Sequence, residues 1–135
     1  MTDPDGTPIE VVHLYSGDDG QSHFRDLRLR LDPVRRGLGV ELIAPVEGML
    51  IRELPSGFTL GYHNAPRRQI VLQLSGQGRI TCGDGSTRVF GPGDILLADD
   101  RTGQGHLSDE VSGPRHQFVV YLDPELDLET LGVGQ

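Results

Sequence analysis

The chain has 135 residues, the length of one ordinary domain, and it contains 19 glycines and 9 prolines but only three alanines. Its formal net charge is −8, all 12 basic residues are arginine, and Cys82 is the single cysteine. This composition favours a turn-rich β protein over a helix bundle, and it excludes a lysine Schiff base, an intramolecular disulfide and a cysteine-rich zinc site. The acidic total also argues against a general nucleic-acid-binding role.

The two ends of the chain differ in composition from its middle. Residues 1–8 are polar and are predicted to form a flexible leader, whereas residues 123–135 carry four acids and no base and are predicted to form an acidic tail. One domain, residues 9–122, is expected between them. Because neither a signal peptide nor an apolar run of membrane-spanning length is recognisable, a soluble, cytoplasmic protein with no membrane contact is expected.

Short segments with β-type alternation begin after the leader. Val11–Tyr15 is the first, and the glycine-rich acidic turn after it leads to Phe24–Leu31. Leu27, Leu29 and Leu31 alternate there with charged residues. This alternation indicates a strand with one buried and one solvated face.

The same pattern continues to residue 122. Gly76-Gln77 and Gly83-Asp84-Gly85 are predicted turns, and a long loop, Asp99–Gly105, precedes His106. The remaining predicted strands are Gly39–Pro45, Met49–Glu53, Phe58–His63, Gln69–Ser75, Gly78–Cys82, Thr87–Phe90, Ile95–Ala98 and Arg115–Leu122. With no convincing amphipathic helix, around ten short strands predict an all-β antiparallel sandwich or barrel.

Two stretches of the chain carry a recognisable motif. The first places His63, Ala65, Gln69 and Gly76 at the positions of a His-x-His, Glu, Gly pattern. In the second, eleven residues separate the Gly-Pro-Gly-Asp turn at 91–94 from His106. In both stretches the chain resembles the cupins, small double-stranded β-helix proteins, over about half of its length. The resemblance implies a cupin fold with its functional site inside the barrel.

The resemblance also implies a metal site, with two departures from the family pattern. Cupins typically bind the ion through three histidines and a glutamate, and here Ala65 and Gln69 replace one histidine and the glutamate. The candidate ligands are therefore His63, Gln69 and His106, which could hold Fe²⁺, Zn²⁺, Mn²⁺ or Ni²⁺ as in two-histidine, one-carboxylate sites. Glutamine is a weaker, neutral donor, so the alternative of two hydrogen-bonded interior histidines without metal stays open.

Further candidates follow from strand parity and from the loop. His116 has an inward-compatible position on the last strand and could move a proton or add an imidazole. Either Asp99 or Asp100 could serve as a general base if burial raised its pKa, although such a pair more often braces a loop.

Arg67 shares the parity of His63 and Gln69. It is therefore predicted to face the cavity and to bind a substrate carboxylate or phosphate. The alternative is that this arginine and its neighbour Arg68 lie in solvent and pair with the acids of the long loop. His23 is a weaker candidate for the cavity wall.

The sequence therefore predicts a metal-assisted small-molecule enzyme that catalyses an isomerase, lyase, cyclase or dioxygenase step on a compact, anionic substrate without an organic cofactor. The glutamine in the ligand pattern resembles cupins that act as polyketide cyclases, which slightly favours specialised metabolism. The alternative is a metal-free ligand-binding or sensor module with the same cavity. A homodimer is expected, because cupins commonly pair through sheet edges, with residues 9–31 as contributors.

Overall fold

The structure is a computed structural model that describes residues 9–29, 31–33, 40–41 and 44–134. Most of these residues lie in strands. The strands are β1 (Glu10–Ser16), β2 (Ser22–Leu29), β3 (Asp32–Pro33), β4 (Val40–Glu41), β5 (Val46–Leu54), β6 (Leu60–His63), β7 (Gln69–Cys82), β8 (Thr87–Phe90), β9 (Ile95–Asp99), β10 (His106–Leu122) and β11 (Gly132–Gly134). A 3-10 turn spans Leu128–Thr130. In these residues, no helix has the length and apolar character needed to cross a membrane.

Nine of the strands form one sheet in the order β11-β2-β1-β9-β7-β10-β5, with β6 paired to β10 and β8 paired to β7. The short strands β3 and β4 pair separately. The predicted all-β class is confirmed, and the arrangement is consistent with a cupin β-sandwich. One pairing of the predicted antiparallel sandwich is parallel, that between β1 and β9.

The long strands β7 and β10 build most of the site. They pair with each other, and each changes its second neighbour along its length: β7 pairs first with β9 and then with β8, and β10 first with β6 and then with β5.

The predicted turn at Gly76-Gln77 is wrong, since β7 continues through it. Gly76 has φ +74, and a Cβ there would lie 2.6 Å from the carbonyl oxygen of Pro114. A glycine therefore lets the two strands approach closely without ending either.

The described residues form two hydrophobic core clusters. The first comprises Leu14, Ala65, Val71, Ile80, Cys82, Phe90, Leu96, Ala98 and Val119. The second comprises Val11, Leu27, Leu97, Leu122 and Leu131. Leu27 is buried and Leu29 packs against the second cluster, which confirms the leucine face predicted for β2.

The ends of the domain differ in part from the prediction. Leu131, within the predicted acidic tail, is buried, and β11 pairs with β2. β11 covers the edge of β2 only at Leu27–Leu29, and the homodimer stays a prediction. The predicted leader, residues 1–8, and positions 39, 42 and 43 of the predicted strand Gly39–Pro45 lie outside the described residues.

Candidate functional site

A cavity of about 410 Å³ lies among strands β5 to β10. Most of its wall is apolar, because alternate side chains of these strands point to the same side of the sheet. The apolar wall includes Leu54, Phe58, Val71, Ile80, Phe90 and Leu96. This volume lies within the range of small-molecule sites, so the cavity can enclose a compact organic ligand.

Two histidines meet on the cavity wall. His63 ends β6 and His106 begins β10, and the two residues are direct partners in the antiparallel register. Their ring centroids lie 4.3 Å apart with 55° between the ring planes. The predicted proximity of these histidines is therefore present in the fold, and both side chains line the cavity.

Hydrogen bonds indicate the tautomer of both rings. His63 Nδ1 lies 2.7 Å from the carbonyl oxygen of Gly61, and His106 Nδ1 lies 2.6 Å from Asp100 Oδ2. Because a carbonyl oxygen can only accept, His63 Nδ1 carries the proton, and the carboxylate likewise accepts from His106 Nδ1. In the neutral form of either ring the lone pair is therefore on Nε2, and no described protein group hydrogen-bonds to either Nε2. Metal-binding histidines are commonly oriented in this way.

Gln69 and Ala65 complete the predicted motif. Gln69 begins β7, is buried, and lines the same cavity as the histidines. Ala65 also lines it, and its small side chain leaves room where a larger ligand would project. Within the described part of the chain, no group of three or more His, Cys, Asp or Glu could hold a metal ion. Two imidazole nitrogens and one amide oxygen are donor types that divalent transition metals accept.

Asp100 lies behind His106 and is absent from the cavity lining among the described residues. It is fully buried, and Oδ2 accepts hydrogen bonds from Ser22 Oγ at 2.7 Å and from His106 Nδ1. This position suits a residue that orients His106 and keeps its proton on Nδ1. It does not suit the predicted general base, which must reach the substrate.

Asp99 also lies away from the cavity. Its carboxylate accepts from His13 Nε2 and Arg68 Nε, both at 3.0 Å, and from Arg101 Nε at 3.1 Å. Arg68 in turn donates to the carbonyl oxygen of Leu126 at 2.6 Å, which ties the C-terminal segment to the sheet. Asp99 therefore braces the structure, which was the alternative prediction for this pair of acids. Its position does not support a catalytic role.

The Asp99 network predicts a pH-dependent stability. Burial alone would raise the pKa of Asp99, but hydrogen bonds from His13 and Arg68 outweigh burial and hold the pKa below its ordinary value. A lowered pKa stabilises the fold above the unfolded value of about 3.9, and this stabilisation is lost as the pH falls through the folded pKa. We expect Asp99→Asn to lower the free energy of unfolding by about 1–3 kcal/mol at neutral pH.

Urea unfolding from pH 7 down to pH 3 checks this expectation. The difference between the wild type and Asp99→Asn should shrink as the pH falls below about 4. Asp18→Asn is the matched control, because Asp18 is exposed. A difference between wild type and Asp99→Asn that does not change over this pH range would contradict the assignment.

Arg67 does not face the cavity, so this prediction is wrong. The chain bends at Pro66 and Arg67, and the bend breaks the strand parity on which the prediction relied. Arg67 is exposed, with its Cζ 4.3 Å from the centre of the Tyr121 ring. Its neighbour Arg68 is the buried member of the pair, and its partner is Asp99.

His116 and His23 lie outside the cavity as well. His116 Nδ1 lies 2.6 Å from Ser75 Oγ and Nε2 lies 2.8 Å from Glu53 Oε1, with 43% of its side chain exposed. An irregular register between Ser112 and His116 shifts the parity of β10, so the neighbours of His116 face inward instead. His23 pairs with Asp19 at 2.9 Å.

Several cavity residues were not anticipated. Arg52, Gln117 and Gln73 lie side by side on β5, β10 and β7. Arg52 Nε donates to Gln117 Oε1 at 2.8 Å, and Gln117 Nε2 donates to Gln73 Oε1 at 3.0 Å. Arg115 also lines the cavity. Alternation from Gln69 could have identified Gln73, whereas the two arginines depend on cross-strand register that one sequence does not reveal.

No protein-family model matches the chain, and no curated protein matches it. Among solved structures, a conserved protein of unknown function from Streptococcus pyogenes is 18% identical, with 71% of this chain and 96% of that chain covered and a TM-score of 0.42. A protein provisionally assigned as a mannose-6-phosphate isomerase from Ralstonia eutropha is 20% identical, with coverages of 90% and 91% and a TM-score of 0.36. One provisionally assigned as the ethanolamine utilization protein EutQ from Salmonella typhimurium is 12% identical, with coverages of 89% and 100% and a TM-score of 0.34. At these values the similarities assign neither a family nor an activity to the chain.

Proposed function

We propose that the cavity binds a small molecule and that His63, His106 and Gln69 hold a divalent transition-metal ion beside it, so that the protein is a metal-assisted enzyme. The observation that carries the proposal is the orientation of the two imidazoles. Each Nδ1 has an oxygen acceptor, so in the neutral form of each ring the lone pair is on Nε2, and both histidines line the cavity. Metal-binding histidines are commonly held in this way, by a hydrogen bond from the ring nitrogen that does not bind the ion.

The chain's own groups would divide the work. The ion, when bound, would polarise a substrate oxygen or activate dioxygen. Asp100 keeps the proton of His106 on Nδ1, and the apolar wall excludes water from the substrate. Asp94 is the carboxylate that lines the cavity in the described residues, and its Oδ2 accepts from the Gly91 N–H at 2.8 Å. It is the better-placed candidate for a proton acceptor than Asp99 or His116.

A second function, metal-free binding of the same ligand, is favoured by one observation. Gln69 is neutral, and the donor set contains only two strong ligands, so the ion would be bound less tightly than by the usual cupin set. In that case the cavity would act as a carrier or sensor, and ligand binding would not depend on metal.

Thermal unfolding with added metal separates the two functions. We expect Zn²⁺ or Co²⁺ to raise the Tm of the wild type and EDTA to reverse the shift. At a free metal concentration of one hundred times the Kd, the added stability should be about 2.7 kcal/mol. His63→Ala should show no such shift. His116→Ala is the matched control, since it removes a histidine outside the cavity and should respond as the wild type does.

Two results would contradict the metal proposal. One is a Tm of the wild type that neither metal nor EDTA changes, and the other is an equal shift in His63→Ala. Either result would favour the metal-free function.

A further inference from the structure

We propose that Arg52 and Arg115 form an anion subsite within the cavity, and that the subsite binds the carboxylate of an otherwise apolar small molecule. The proposal rests on the proposed function only in requiring that the cavity binds a small molecule. It does not require a metal ion, and it replaces the role that the sequence predicted for Arg67.

Arg115 is a buried cation without a carboxylate partner among the described residues. Only 3% of its surface is exposed. Nη2 donates to the carbonyl oxygen of Phe58 at 2.9 Å, Nη1 lies 3.5 Å from the carbonyl oxygen of Asp109, and the buried Nε has no partner among the described residues. A buried guanidinium is costly unless a counter-charge and full hydrogen bonding compensate it. An oxyanion in the cavity would supply both.

The backbone of β7 leaves room for this side chain. A Cβ on Gly78 would lie 2.7 Å from Arg115 Nη1, and a Cβ on Gly76 would lie 2.8 Å from Arg115 Cγ. Neither position could carry a larger residue without displacing the arginine. The side chain is therefore accommodated by the fold and is not a surface arginine that happens to lie inward.

Arg52 is held beside the same wall by an amide chain. Its Nε donates to Gln117, which donates to Gln73, whose Nε2 donates to the carbonyl oxygen of Ser75 at 2.7 Å. The two terminal nitrogens of Arg52, Nη1 and Nη2, have no hydrogen-bond partner in the described part of the protein. Burial lowers the pKa of Arg52, the charge of Tyr121 opposes this, and the like charge of Arg115 lowers the pKa further, but a guanidinium stays cationic at neutral pH. Two like charges thus lie near one another, and an anion would relieve their repulsion.

The other charged groups on the wall do not cancel these two. Arg79 is already neutralised by Asp109, through hydrogen bonds of 3.1 and 2.8 Å. Asp94 contributes one negative charge and is engaged with a backbone N–H. The cavity therefore carries excess positive charge although the whole chain is at −8. Because the rest of the wall is apolar, the ligand that fits combines an anionic head with an apolar body.

Calorimetric titration with 3-phenylpropionate and its neutral amide, 3-phenylpropionamide, tests the subsite. We expect the wild type to bind the carboxylate more tightly than the amide. Arg52→Gln should weaken carboxylate binding by about 10- to 100-fold and leave amide binding nearly unchanged. Arg88→Gln is the matched control, because Arg88 pairs with Asp26 and does not line the cavity. Arg52 is exposed, so its replacement should leave the fold intact.

The same titration in EDTA, and with His63→Ala, distinguishes this subsite from the metal site. We expect carboxylate binding to persist in both cases, even if no metal binds to the wild type. The proposal would be overturned by failure of the carboxylate to bind, by equal affinities for carboxylate and amide, by an unchanged affinity in Arg52→Gln, or by loss of binding on metal removal.

Discussion

Gly105→Ala is expected to lower the free energy of unfolding by about 3 kcal/mol or more. Gly105 has φ +79, a conformation that costs an L-residue energy, and a Cβ there would overlap the carbonyl oxygen of His63. The backbone of the loop or of β6 would have to move to remove this overlap. Because His63 is a proposed ligand, the same movement should also weaken metal binding.

Gly85→Ala is the control that separates the two contributions. Gly85 has φ +89, but nothing lies within 4 Å of the position of its Cβ. Its replacement should cost only the conformational penalty, about 1–2 kcal/mol, and leave metal binding unchanged. Urea unfolding of both variants is the measurement. An equal loss of stability in the two would show that the approach of Gly105 to His63 is not as close as described.

Asp100→Ala should have the second large effect, because it removes a buried acceptor from two donors. Ser22 Oγ and His106 Nδ1 would both be left unpaired, at a combined cost of about 2–5 kcal/mol. His106 would also lose the group that fixes its tautomer. We therefore expect the affinity for a divalent ion to fall by about 10- to 100-fold, as for other partners of metal-binding histidines.

Ser22→Ala distinguishes the stabilising role of Asp100 from its role in the site. It removes the other hydrogen bond to the same carboxylate oxygen but keeps the bond to His106. Urea unfolding should show a smaller loss of stability, and calorimetric titration with Zn²⁺ should show the affinity of the wild type. If Asp100→Ala bound the ion as tightly as Ser22→Ala does, Asp100 would have no part in orienting His106.

The cupin motif positions predicted part of the site, whereas strand parity failed at irregular segments. His63, Gln69 and His106 were predicted from the motif, and all three line one cavity. Arg67 was misplaced because the chain bends at Pro66 and Arg67, between β6 and β7. His116 was misplaced because a register shift precedes it in β10. A single irregular residue reverses the face of every residue after it.

The cavity arginines could not be predicted for a different reason. Arg52 reaches the cavity only because β5 pairs with β10, where Arg52 lies opposite Gln117. Arg115 reaches it because two glycines of β7 leave room for its side chain. Both facts depend on contacts between segments that are distant in sequence. The glycine excess therefore contributes to the site as well as to the turns.

Titration of the purified protein with Co²⁺, followed by visible absorption, tests the central claim most directly, because the absorption bands of the ion report nitrogen ligation. We expect the wild type and His116→Ala to bind a single ion each with the spectrum of nitrogen coordination, and we expect His63→Ala and His106→Ala to lose that spectrum. Absence of the spectrum in the wild type, or its persistence in both cavity variants, would contradict a metal site at these two histidines.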